Sequence, residues 1–296
     1  MDYLFKKINN MKKVLIFIVT ITLFNALFAH EEPAKTLKEI KEKENNRLKI
    51  ISNKTMQVSI WKYQIKDNKY NPDIKEKYIE MNYGQNGTLD EMKVFSTGNV
   101  LDYKTKIKYD DNFNMIEDTD YDPDGNIYEQ IKYILDEKGR VKEQVNYTIN
   151  NQIDSKFTYS IDYDKNIVLF EKFKPIDSIE YKIIYKYNGN PDTSNNVKII
   201  KQSADGKQIM KVENIYENNL RIKKMIFNEN DNLLYWFEYL YDDNENNIEI
   251  RKLDSSGNLL SKTVFSYNDK NQIISVEGYE NAILKSYYSY EYKQYQ

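Results

Sequence analysis

The chain has 296 residues, with 43 Lys and Arg against 46 Asp and Glu, one His and no Cys, giving a net charge of −3. Without cysteine there is no disulfide framework, thiol nucleophile or Cys-ligated metal, and His30 alone cannot supply a multi-histidine centre. A pI near 5.6 with interspersed charges leaves no basic footprint for nucleic acid, and a mean hydropathy of −0.78 argues against a multi-helix membrane protein.

The first element is an address. Lys6, Lys7, Lys12 and Lys13 precede an uncharged run from residue 14 to Ala29, followed by the polar segment His30, Glu31, Glu32. This is the anatomy of a secretory signal peptide over residues 1–29, with cleavage after the small residue Ala29. The run is shorter than the roughly 20 residues of a spanning helix, so a retained anchor is the alternative and no stable membrane insertion is expected after cleavage. Translation from Met11 would give a more compact signal. The exported product is expected in the periplasm or outside the cell.

Residues 30–52 read as a helical segment. Pro33 and the capping box Thr36-x-x-Glu39 open it. Its apolar set, Leu37, Ile40, Leu48 and Ile51, is thin, so the helix is expected to lie against the first strands.

Residues 53–296 carry a repeated punctuation, clearest at Tyr121-Asp122-Pro123-Asp124-Gly125-Asn126-Ile127. The frame recurs from Leu135, Leu253 and Tyr267, and in weaker form at Tyr83, Phe95, Tyr109, Tyr147, Phe227, Tyr241 and Tyr279. Successive copies lie alternately 12 and 14 residues apart on both sides of an irregular middle, about residues 149–226, which contains Pro175 and Pro191. Asp or Asn opening a tight turn, with Gly or Asn where φ must be positive, is hairpin chemistry. Between turns, Leu233, Tyr235, Phe237, Tyr239 and Tyr241 share one parity, so one face of each arm is apolar and aromatic. The fold class is all-β: a long antiparallel β-meander of repeated hairpins, about 16 strands, too many for an open sheet, and so curled, rolled or closed. The middle is expected to be where the sheet bends or a loop projects.

The motif Tyr-Asp-x-x-Gly-Asn-Ile at residues 121–127, with its echoes from about residue 80 to 296, resembles the tyrosine-aspartate (YD) repeats of bacterial secreted Rhs-type and wall-associated proteins. That resemblance implies hairpin sheets forming a shell or scaffold in an exported setting. The repeats run to Gln296, so no toxin domain is expected after them.

Two constellations are candidates for binding. Asp118, Asp120, Asp122 and Asp124, followed by Gly125, form a D-x-D-x-D-G string of the kind that wraps calcium, although Ile131 stands where the closing carboxylate belongs. Tyr235, Trp236, Phe237 and Tyr239, with the terminal Tyr287, Tyr288, Tyr290 and Tyr292, could form a stacking face for a sugar or a protein. No nucleophile-elbow, P-loop or dinucleotide string occurs. The expectation is a non-enzymatic repeat protein binding a protein or glycan at the cell envelope, without an obligatory cofactor. The alternatives are an envelope enzyme using cleft carboxylates and an outer-membrane barrel; charges on both parities of the arms weigh against the latter.

Overall fold

The computed structural model describes residues 36–174 and 178–296. The signal segment, His30, Pro33 and Pro175 lie outside the described residues.

Helix α1 (Leu37–Ser52) begins where the capping box places it, with the Thr36 hydroxyl accepting from the Glu39 amide at 3.3 Å. The chain then runs through β1 (Thr55–Lys66), β2 (Lys69–Tyr83), β3 (Leu89–Ser96), β4 (Val100–Tyr109), β5 (Met115–Tyr121) and β6 (Ile127–Leu135). There follow β7 (Val141–Thr148), β8 (Ile153–Asp162), β9 (Ile167–Phe173), β10 (Ile179–Tyr187), β11 (Asn196–Ser203) and β12 (Gln208–Glu217). The last six are β13 (Leu220–Phe227), β14 (Leu233–Tyr241), β15 (Asn247–Asp254), β16 (Leu259–Tyr267), β17 (Ile273–Glu280) and β18 (Ile283–Gln294). Each strand pairs antiparallel with the next, and β1 pairs with β18, Ile60 opposite Tyr290. The sheet is a closed barrel of 18 strands, and closure removes both edges.

The repeat is built by its turns. In the Asp136 turn, Oδ1 of the aspartate accepts from the amides of Lys138 and Arg140, and the Gly139 amide donates to the Asp136 carbonyl. Asp110, Asp242 and Asp254 do the same, and Asn228 and Asn268 substitute for the acid. The residue before the last sits at positive φ, which is why Gly recurs there: Gly139 is at +79°. A side chain at Gly139 would also meet the Asn114 amide nitrogen at 2.9 Å. Strands of 7 to 8 and 9 residues alternate between five-residue turns, which yields the steps of 12 and 14.

The tyrosine of the motif closes the turn against its neighbour. Tyr109, Tyr241 and Tyr267, each the last residue of its strand, donate to the carbonyls of Leu89, Arg221 and Asn247, twenty residues earlier, at 3.1, 2.9 and 2.8 Å. Each acceptor stands at or next to the start of the preceding strand, so the hydroxyl pins two successive hairpins together.

Inward faces pack into one apolar cluster including Val58, Ile60, Met81, Leu89, Val212, Phe237, Phe265 and Tyr290. The outward face is charged and its ions pair across strands: Lys93 with Glu80 at 3.3 Å, Lys156 with Glu143 at 2.8 Å, Lys182 with Glu171 at 2.8 Å and Lys198 with Glu213 at 3.2 Å.

Three expectations are corrected. The ring has 18 strands rather than about 16, because β1 and β2 meet at the two-residue turn Asp67-Asn68, which carries no motif. The sheet does not bend in the middle, where β8 to β13 continue the ladder, but a loop does project there: residues 188–195, with Pro191, between β10 and β11. The helix lies across one end of the barrel instead of along the first strands. Arg47 donates to the Asn86 carbonyl at 2.5 Å in the β2–β3 turn, while the Leu37 amide donates to Asp192 at 2.9 Å in the β10–β11 loop. Those loops are eight strands apart in a ring of eighteen, nearly opposite, and a 16-residue helix is about 24 Å long. Gly87, at φ +81°, lets the helix approach: a Cβ there would sit 2.7 Å from the Arg47 carbonyl.

Candidate functional site

The alternation of faces decides what each nominated residue can do. Tyr235, Phe237 and Tyr239 point into the barrel, with Phe237 6% exposed. Tyr288, Tyr290 and Tyr292 also face inward; burial raises the Tyr288 hydroxyl and pushes those of Tyr290 and Tyr292 well above the usual phenol range. Only Trp236 and Tyr287 of the nominated set face outward. The eight rings therefore do not form one stacking face, because consecutive residues of a strand point to opposite sides.

The carboxylate string is divided in the same way. Asp118 and Asp120, 3% and 6% exposed, lie on the inner wall, where Asp120 accepts from the Thr105 hydroxyl at 2.5 Å and from the Tyr128 hydroxyl at 3.1 Å. Asp122 and Asp124 belong to the turn beyond, and the Asp122 carboxylate is held by the Asn126 amide and side chain at 2.8 and 3.1 Å. Those bonds keep Asp122 below the usual carboxylate range. Among the described residues no group of three or more His, Cys, Asp or Glu side chains is placed to hold a metal ion.

An outward aromatic patch forms outside the repeat motifs. β1 continues past its pairing with β18, and its far part forms a hairpin with the start of β2. On it, Tyr63 meets Tyr70 edge-on at 5.6 Å and Tyr287 of β18 at 5.2 Å, while Tyr70 and Tyr287 stack at 3.9 Å with 14° between planes. The Tyr63 hydroxyl lies 3.1 Å from the Ser289 hydroxyl, and Tyr70 remains 41% exposed. Beside them Trp61 carries Lys75 over its ring at 4.5 Å, and Lys75 is paired with Glu291 at 2.8 Å. Tyr63, Tyr70 and Trp61 were missed because they precede the first turn motif; the alternation Trp61, Tyr63, Ile65 was the available signal.

A second concavity lies under α1. The helix and the β4–β5 turn border a shallow groove, open to solvent, walled by Ile40, Glu44, Arg47, Tyr109, Phe113 and Met115. The Arg47 guanidinium sits 4.1 Å from the Phe113 ring centroid, and Glu44 binds it through two oxygens at 2.8 Å.

No family model matches the chain, and no curated protein matches it. Among solved structures, a porin-like protein from Bacteroides uniformis is 11% identical, covering 81% of this chain and 98% of that one, with a TM-score of 0.42. A porin-like protein from Bacteroides vulgatus is 9% identical, covering 81% of this chain and 99% of that one, at 0.29. The TcdB2–TccC3–Cdc42 complex is 11% identical, covering 74% of this chain and 13% of that one, at 0.23. None of these superpositions is close enough to bear on function, which is read from the residues themselves.

Proposed function

We propose that the chain is an exported, non-enzymatic β-barrel that binds a protein or glycan of the cell envelope through the aromatic patch on β1, β2 and β18. The stacked Tyr70–Tyr287 pair carries this reading, because it holds two rings in register on an outward surface with one of them substantially exposed. The signal anatomy of residues 1–29 supports export. The turn chemistry supports kinship with YD repeats, since aspartate, glycine and tyrosine each have a distinct structural task.

A closed antiparallel ring is also what an outer-membrane barrel requires. Against that reading stands the outward face, where Lys104, Lys106 and Lys108 of β4 all point out. Near a bilayer midplane each such lysine would cost roughly 2–4 kcal/mol. The ion pairs that ring the outer wall are suited to water.

The test is sedimentation of the purified protein with envelope fractions and insoluble polysaccharide, alongside Tyr70→Ala and Tyr287→Ala variants. Retention that falls at least tenfold in both variants supports the reading. Equal retention of wild type and variants, or none at all, overturns it.

A further inference from the structure

The ring closes at a seam that is only partly laddered. β1 pairs with β18 as far as Lys62 opposite Tyr288, and β2 pairs with β3 only from Ile79 onward. Between Tyr63 and Tyr78 the two strands pair with each other alone, and side chains tie their hairpin to the wall. The Asn68 side chain accepts from the Leu284 amide, Lys75 pairs with Glu291, and Tyr70 lies on Tyr287.

Tyr70 and Tyr287 are unlike the other tyrosine pairs among the described residues. Their ring centroids are 3.9 Å apart with 14° between planes, so carbons of one ring face carbons of the other near van der Waals contact. Tyr78 and Tyr288 are tilted by 37°, Tyr103 and Tyr128 are edge-on at 90°, and burial raises all four of those hydroxyls. Tyr70, by contrast, is 41% exposed. The Tyr287 hydroxyl is raised first by burial and then by the phenol of Tyr70, an effect that requires the two hydroxyl ends to lie together. Tyr63 stands edge-on to both rings, with its own hydroxyl at Ser289.

Two phenols in this arrangement are suited to oxidative coupling. Removal of one electron and one proton from each leaves two phenoxyl radicals, whose spin is shared between the oxygen and the ring carbons beside and opposite it. The opposite carbon carries the main chain, so carbons beside the oxygens join. One C–C bond forms, the C–H bonds at those two carbons break, and their hydrogens move to the oxygens as the rings regain aromaticity. Hydrogen peroxide, reduced to two waters at a haem peroxidase, takes up the two electrons and two protons. The stack supplies the approach that makes the coupling intramolecular.

We propose that Tyr70 and Tyr287 are a modification site, coupled by a peroxide-consuming haem oxidant into a dityrosine that locks β2 to β18 across the seam. The bond encloses nearly the whole ring of strands in one loop. That is the constraint a disulfide provides in an oxidising compartment, and this chain has no cysteine to make one. The coupling needs no ligand and its product is covalent, so it and the binding role of the same patch stand or fall separately.

The experiment treats the full mature chain, at a concentration low enough to keep chains apart, with hydrogen peroxide and a haem peroxidase. Expected is a monomer lighter by two hydrogens, with dityrosine fluorescence and a linked pair of peptides containing Tyr70 and Tyr287. That product should migrate faster in denaturing gels and melt at a higher temperature than untreated protein. Tyr70→Phe and Tyr287→Phe, which keep the rings, should each lower its yield at least tenfold. Tyr163→Phe, at a tyrosine 43% exposed outside the patch, should leave the yield unchanged. Linkage only between other tyrosines, or only between chains, overturns the proposal, as does undiminished yield in a folded Tyr70→Phe protein. Unreacted wild type, in a mixture that dimerises free tyrosine, overturns it equally.

Discussion

The Tyr241 hydroxyl donates to the carbonyl of Arg221, 2.9 Å away and twenty residues earlier in the chain. With Tyr109 on Leu89 and Tyr267 on Asn247, it gives the repeated tyrosine a task beyond apolar burial: each ties the end of one strand to the beginning of the strand before it. Tyr241→Phe and Tyr267→Phe keep the ring and delete only the donor. Each should destabilise the barrel by about 1 kcal/mol, read as a lower urea midpoint at unchanged slope. Two neutral substitutions would show that the hydroxyl is dispensable.

Lys224 makes stability depend on alkaline pH. Burial, helped by Arg221, lowers its ammonium to about 8 from 10.5. Between those values the unfolded chain holds a proton that the folded chain does not, so its contribution to stability rises with pH across that window. Below pH 8 the buried charge costs on the order of 3 kcal/mol. Lys224→Met should therefore be more stable than wild type at pH 7, with the difference shrinking toward pH 10. A constant difference between pH 7 and 10 would contradict this.

Acid acts through the turns. Asp136, Asp192 and Glu80 are held below their ordinary ranges by Arg140, by the Leu37 amide and Tyr163, and by Lys77 and Lys93 respectively, each overcoming an opposing desolvation. Depressed carboxyls contribute stability that is present above their unfolded pKa near 4 and is lost as pH falls through the folded values. The thermal midpoint should be level from pH 7 to 5 and fall steeply below pH 4. A midpoint unchanged at pH 2.5 would show that these bonds contribute nothing.

Much of this architecture was legible in the chain, and the reason is local. Asp136, Gly139 and Arg140 write one turn within five residues, and the 12- and 14-residue steps count the strands that follow. What was not legible depends on distant partners. The pairing of Ile60 with Tyr290 closes the ring across 230 positions, and no turn motif encodes it. The helix was misplaced because its seat is made of loops, Asn86 and Asp192, and polar contacts leave no apolar stripe to read. In the terminal tyrosines, parity sends Tyr288 and Tyr290 inward and leaves Tyr287 to meet Tyr63 and Tyr70. Lys224, next to Lys223 and three residues after Arg221, reads as part of a charged outer face, and only its pairing with Asn214 and Phe237 shows that it points inward.

The helix is held by few groups. None of its residues is buried; Ile50 packs on the edge of the core, and polar contacts run from Arg47 to Asn86, from Leu37 to Asp192 and from Lys38 to Asn195. Arg47→Ala removes the bond to Asn86 and the stacking on Phe113. Amide exchange within residues 37–52 should accelerate while the strand amides keep their protection. Equal loss of protection in β3 and β4 would mean that the helix is part of the cooperative unit rather than a strap upon it.

The meeting of β1 with β18 places the two ends of the strand ring side by side: the Tyr295 amide donates to the Lys54 carbonyl at 2.8 Å. A ring whose ends touch has no structurally privileged beginning, so the order in which its hairpins are synthesised is a matter of history rather than geometry. Joining residue 54 to residue 295 through a short linker and opening the chain in the exposed turn at Asp205-Gly206 should give a circular permutant with the same barrel and a similar thermal midpoint. If that permutant fails to fold, the first and last strands do more than complete the circle, and closure itself sets the path by which the others find their places.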